Sequence, residues 1–154
     1  MLGIYFFKEN NGSNNVPLSL EEVDKHLYLK KTDRFNDIGN FVTQIDGKIH
    51  KVISTDESNP SDTKVYELIE KSSDNISDIE GIYSLIKYNK NEMSLEIFNN
   101  RYTCHKVYYY QSEDFLAFSS SMSELMDNFV DDVRPHLGSI RSFVSNGFTL
   151  CDQT

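Results

Sequence analysis

Few side chains in this 154-residue chain could act as nucleophiles, and their spacing does not pair them with a base. Cys104 and His105 are the one Cys–His neighbour pair. On a strand, adjacent side chains point to opposite faces, so that imidazole cannot easily reach that thiol. Cys151 has no histidine in sequence reach, and His26, His50, His105 and His136 show no metal-ligand spacing with either cysteine. A glycine-rich phosphate loop is absent from the sequence. The tyrosine run 108–110 reads as strand packing rather than a stacking platform. Two acidic positions stand at punctuation marks. Asp46 precedes Gly47, the dipeptide of a tight hairpin, and Asp62 follows Ser61 at a helix start, where the helix dipole favours an acid.

The elements around these positions follow from apolar periodicity. Residues 1–7 are apolar on both parities (Leu2, Ile4 and Phe6 against Tyr5 and Phe7), which predicts a central strand covered on both faces. Residues 9–17 form a polar loop. Ser19-Leu20-Glu21-Glu22 has the spacing of a capping box, and Leu20, Val23 and Leu27 extend it to a short amphipathic helix ending near Lys31. A strand over 38–45, a turn at Asp46-Gly47 and a return strand over 48–54 follow. After a polar loop at 55–61, Val65, Leu68 and Ile69 share one face of a helix that begins at Asp62.

A meander comes next. Residues 82–88 form a strand, Asn89-Lys90-Asn91 a turn, and Met93, Leu95 and Ile97 alternate with polar residues on another strand. Two short apolar runs, 107–110 and 115–118, flank the turn Ser112-Glu113-Asp114. Ser121-Met122-Ser123-Glu124 then caps a helix whose apolar face carries Met122, Leu125, Met126 and Phe129. Leu137, Ile140 and Val144 mark a last helix stopping at Asn146-Gly147. Six or seven strands and four helices, with helices between groups of antiparallel strands, indicate one α+β domain over residues 1–154.

Composition limits the partners. The net charge of −9 disfavours nucleic acid and anionic membrane, which reward basic patches. No apolar run reaches the roughly 20 residues that span a bilayer, and the apolar start lacks the basic flank of a signal peptide. Both cysteines therefore read as reduced thiols of a cytoplasmic protein.

Several segments, in order, resemble the N-terminal class II glutamine amidotransferase domain of asparagine synthetase-like enzymes. Met1-Leu2-Gly3-Ile4 is similar to that family's opening Met-Cys-Gly-Ile. Ser61-Asp62-Thr63, then a helix, then Glu80-Gly81-Ile82-Tyr83-Ser84, is similar to its Ser-Asp-(Cys/Thr)-Glu and following Gly-Met-Phe-Ala. Asn100-Arg101-Tyr102 through Tyr108-Tyr109, then Leu116-Ala117-Phe118-Ser119 and the helix at Ser121–Leu125, resembles its Asp-Arg-Phe-Gly … Tyr-Tyr … Leu-Phe-Ala-Ser-Glu block. The closing helix with Asn146-Gly147 and Thr154 resembles the stretch leading into the synthetase half.

The resemblance implies a four-layer αββα sandwich of antiparallel sheets, as in the N-terminal nucleophile hydrolases. It also implies a nucleophilic Cys at position 2, its α-amine acting as base. Here Leu2 stands there, without lone pair or transferable proton, and a bulky second residue leaves the initiator Met in place. The family's oxyanion-stabilising Asn-Gly falls on Asp46-Gly47, where a carboxylate replaces an amide donor. Asp62 falls on the acid that binds the glutamine α-amino group. Arg34, in Thr32-Asp33-Arg34-Phe35, does not reproduce the family's arginine motif.

The expectation is thus a catalytically inactive glutaminase-like domain, with Asp46, Gly47 and Asp62 as a vestigial pocket and no metal or cofactor of its own. ATP and Mg are expected only in a synthetase domain, in cis or trans, of an amide-forming ligase that this domain supports structurally. A homodimer is left open. The alternatives are a free-standing binding or regulatory module that uses the vestigial glutamine pocket and, less favoured, an active glutamine-hydrolysing domain.

Overall fold

Residues apolar on both parities need a layer on each side, and β1 (Leu2–Phe6) finds both. It is the middle strand of an antiparallel sheet whose order is β2 (Leu20–Glu22), β3 (Leu27–Lys30), β1, β10 (Phe115–Ser119) and β9 (Tyr108–Gln111). The computed structural model describes residues 1–8, 16–71, 73–99 and 105–129. Most of the polar loop at 9–17, the segment 100–104 with Arg101 and Cys104, and the expected last helix with Asn146-Gly147 lie outside the described residues. So do His136, Cys151 and Thr154.

A second antiparallel sheet has the order β4 (Asn36–Ile38), β5 (Phe41–Val52), β7 (Ile79–Asn89) and β8 (Ser94–Asn99), and β6 (Glu57–Ser58) also pairs with β5. Helix α1 (Asp62–Lys71) and a 3-10 turn over Ser73–Asp78 link the two halves of this sheet. Helix α2 (Met122–Phe129) follows β10. Among the described residues no helix is long and apolar enough to cross a membrane.

Three apolar clusters organise these elements. Leu27, Leu29 and Phe118 of the first sheet meet Val42, Ile86 and Tyr88 of the second, so the sheets pack on each other. On the second sheet's other face, Val65 and Ile69 of α1 pack with Ile79, Tyr83 and Leu85. On the first sheet's other face, Leu2, Ile4, Phe6 and Leu20 take in Phe129 of α2. The fold is thus α+β with two antiparallel sheets.

Two expectations fail. The helix over 19–31 is instead the hairpin β2–β3. Leu20, Val23 and Leu27 fit helical spacing, but Leu27 and Leu29 are fully buried while Tyr28 and Lys30, alternating with them, are half-buried, the period of a strand. The turn is closed by Val23 and Asp24 amides donating to the Leu27 carbonyl. β3 pairs with β1, Leu29 opposite Gly3, so long-range pairing overrides the local capping signal.

The hairpin at Asp46-Gly47 is also absent. β5 runs straight through it, with Asp46 opposite Ser84 and Gly47 opposite Tyr83 on β7. The chain turns earlier, between β4 and β5, where Gly39 takes the left-handed φ of 59°. Gly47 has φ 120°, and a Cβ there would stand 2.2 Å from the Ile82 carbonyl oxygen. Close approach of two strands, and not a turn, requires glycine at 47.

The capping box of α2 is half made. The Ser121 hydroxyl accepts from the Glu124 amide at 3.3 Å. The Glu124 carboxylate turns away to Lys30 and to the Ser119 hydroxyl, and Ser119 Oγ accepts from the Ser121 amide instead.

Candidate functional site

β1 begins beside the end of β10, Leu2 opposite Ser119, and this register brings the start of the chain to the junction of both sheets. The Met1 ammonium donates to Ser120 Oγ at 3.1 Å and stands 3.5 Å from both Asp33 Oδ2 and Asp46 Oδ2. The Met1 carbonyl accepts from Ser119 Oγ at 2.9 Å and from the Ser120 amide at 3.0 Å. The Leu2 amide donates to Asp33 Oδ2 at 2.9 Å.

Each partner comes from a different place. Asp33 lies in the turn after β3, closed by its own amide donating to the Lys30 carbonyl. Asp46 lies in the middle of β5, and Ser119 and Ser120 lie where β10 passes into α2. Asp33 and Asp46 keep 17% and 30% of their side-chain exposure, so solvent screens their attraction for the ammonium to a net of about 1 kcal/mol or less.

Leu2 itself turns the other way. Strand alternation sends its side chain, with Ile4 and Phe6, to the cluster under α2, and it is 0% exposed. The face of β1 toward the second sheet carries Gly3, where a Cβ would stand 2.4 Å from the Phe118 ring. Residue 2 thus supplies a backbone donor to the junction and a side chain to the core.

Of the residues singled out in the sequence, Asp46 is brought to the Met1 amine, and Gly47 adjoins it on β5. Asp62 is exposed in the first turn of α1, apart from the ion pairs that the Met1 ammonium makes among the described residues. Its charge acts on Tyr66, whose phenol is pushed up mainly by burial and secondarily by Asp62. Arg34 is exposed. Asp33, Ser119 and Ser120 were not anticipated. Asp33 stands in Thr32-Asp33-Arg34-Phe35, where the residue of note in the sequence is Arg34; Ser119 belongs to the family-like block and Ser120 adjoins the helix cap, and neither signals a contact with residue 1.

The wall of β5 and β7 beside Asp46 is polar. Gln44 and Ser84 are buried, and Gln44 Oε1 and Ser84 Oγ have no hydrogen-bond partner. Alternation places Gln44 on the same face of β5 as Asp46, and Ser84 is Asp46's cross-strand neighbour. Two open clefts flank α1, of about 380 and 510 Å³, and share Glu67 and Lys71; neither is lined by the residues around Met1. Among the described residues no three His, Cys, Asp or Glu side chains gather to hold a metal.

Chemically, the junction binds a cation. The Ser120 hydroxyl accepts from a group that is itself an ammonium, a donor with no lone pair to take a proton, so the two do not form a nucleophile–base pair. Comparison with curated proteins gave no match, and comparison with solved structures gave none. A family model for the glutamine amidotransferase domain matches residues 29–127. That stretch starts past β1, so it takes in Asp33, Asp46, Asp62 and both serines but not Leu2. Running from the second half of β3 into α2, well over half of the sequence, the match makes this chain a member of the glutamine amidotransferase domain family.

Proposed function

We propose that this is a glutaminase-like domain without glutaminase activity, folded as the four-layer αββα sandwich of the N-terminal nucleophile hydrolases. The observation that carries the reading is Leu2. An isobutyl group occupies the position of the family's attacking thiol and is fully buried under α2, turned away from the junction. The three apolar clusters support the four layers, because α1, the second sheet, the first sheet and α2 bury one another in that order. Asp46 supports the loss of oxyanion stabilisation, since its carboxylate pairs with an ammonium and would repel a developing negative charge.

The role that remains is structural. In this reading the domain supports the ATP- and Mg-using synthetase domain of an asparagine synthetase-like ligase in the cytoplasm, in cis or in trans, and the amine comes from a source other than glutamine. The test is glutamine hydrolysis by the purified chain, followed as glutamate and ammonia. No release above buffer is expected, and Leu2→Cys, with or without Asp46→Asn, is expected to stay inactive. Ammonia release abolished by a single substitution in this domain would overturn the reading.

A further inference from the structure

We propose that Met1 is the resident ligand of the junction: its ammonium fills a slot for a primary ammonium built by Asp33, Asp46 and Ser120, and so closes the site from within. A primary ammonium has three protons, and three oxygen acceptors stand around this one, at 3.1, 3.5 and 3.5 Å. They come from three places in the chain, the turn after β3, β5 and the end of β10, so the occupant bridges the two sheets where β1 begins. The rest of residue 1 is held as firmly. Its carbonyl accepts from Ser119 Oγ and the Ser120 amide, with Ser120 Oγ further off at 3.5 Å, and its side chain packs against the inter-sheet cluster. Chain termini fray unless tied down, and this one is tied at every polar group.

The slot is also more than a pair of acids. Gln44 Oε1 and Ser84 Oγ, both buried and without partner, lie on the β5–β7 face that bears Asp46, so that face offers further oxygen acceptors along the strand. The same carboxylates with the amine elsewhere would face each other uncompensated. Occupation by residue 1 therefore stabilises the junction and excludes any other primary amine, including the α-ammonium of a free amino acid.

The proposal rests on the glutaminase-like reading, but it is read on the amine and not on glutamine, so the two fail separately. The full-length chain is acylated with a small amine-reactive ester, folded and in urea, and each site is quantified by peptide mass spectrometry. Lys64, with 61% of its side chain exposed, serves as the internal standard. Relative to Lys64, the Met1 amine is expected to react about tenfold or more slowly in the folded chain, because labelling must wait for local opening. Asp33→Asn and Asp46→Asn are each expected to erase much of that protection. A chain with one glycine added before Met1, which turns the ammonium into an amide, is expected to melt about 2–4 °C lower. Equal labelling in the folded and unfolded chain, a first residue other than Met1 in the purified protein, or an unchanged Tm with the added glycine overturns the proposal.

Discussion

β1 and β5 meet at the Met1 junction and treat their buried groups in opposite ways. β1 sends Leu2, Ile4 and Phe6 into an apolar cluster, and the polar groups of Met1 and the Leu2 amide all have partners. β5 buries Gln44 with its amide oxygen unpaired, and its Asp46 lies opposite Ser84, whose hydroxyl is also unpaired, next to the cross-strand squeeze at Gly47. An unsatisfied buried polar group costs about 1–3 kcal/mol, so β5 carries a burden that β1 does not. On the β1 side residue 2 belongs to the core, while the opposite wall is polar and its strands approach closely at Gly47.

The sharpest break in that comparison is Gly47→Ala. Its Cβ would meet the Ile82 carbonyl oxygen at 2.2 Å and the Tyr83 Cα at 2.8 Å, at a φ of 120° that an L side chain rarely adopts. Strain and overpacking together are expected to cost about 3–5 kcal/mol, seen as a fall in the urea midpoint at unchanged slope. A loss under about 1 kcal/mol would show that the strands separate easily and that β5 is not held tightly there.

On the β1 side, Leu2→Ala is expected to cost about 3 kcal/mol, the usual range for emptying a fully buried leucine site. Leu2→Cys leaves a smaller void and is expected to cost about 1–2 kcal/mol by the volume lost. If both were neutral, Leu2 would not be core and β1 would resemble β5 more than it differs.

How much of this was legible in the sequence follows from the range of each interaction. β1 was readable because its residues are apolar on both parities, and α1, the β7–β8 meander and the β9–β10–α2 unit because their neighbours in sequence are their neighbours in space. The β2–β3 hairpin was not: Leu20, Val23 and Leu27 satisfy both periods, and pairing of Leu29 with Gly3 decides between them from 26 residues away. Asp46-Gly47 carried the residues of a hairpin, yet β7 pairs across it without a break from Phe41 to Ile49. The position of Leu2 could be named from the opening residues. Asp33 and Ser120 could not, because only the register of β1 against β10, and the turn after β3, bring them to residue 1.

Tyr88 tests whether the β5–β7 wall is polar throughout or only near Asp46. It lies on the same face, two turns of the pleat beyond Ser84, but its hydroxyl donates to Asp24 Oδ1 at 2.7 Å. Burial first, then that hydrogen bond, pushes its phenol well up. A tyrosine raised in the folded state contributes stability below the unfolded pKa of about 10, and loses it as pH rises above that value, where the unfolded chain ionises first. Tyr88→Phe is expected to cost about 1 kcal/mol at neutral pH and to flatten the fall in stability above pH ~10. An unaltered alkaline limb in a urea-midpoint series would remove Tyr88 from the satisfied end of this wall.

The smallest expected effect distinguishes the two strands most directly. Ser84 Oγ is fully buried without a partner, so Ser84→Ala removes a group that has already lost its water and gained nothing. The change is expected to raise stability by up to about 1 kcal/mol, whereas a paired hydroxyl on β10, Ser119→Ala, is expected to lower it by about the same amount. Opposite signs for two buried serines, one on each sheet, measured in the same denaturant series, are what the contrast between β1 and β5 requires. If Ser84→Ala instead destabilises, a water or a bound molecule holds that hydroxyl, and the β5 wall is an occupied site.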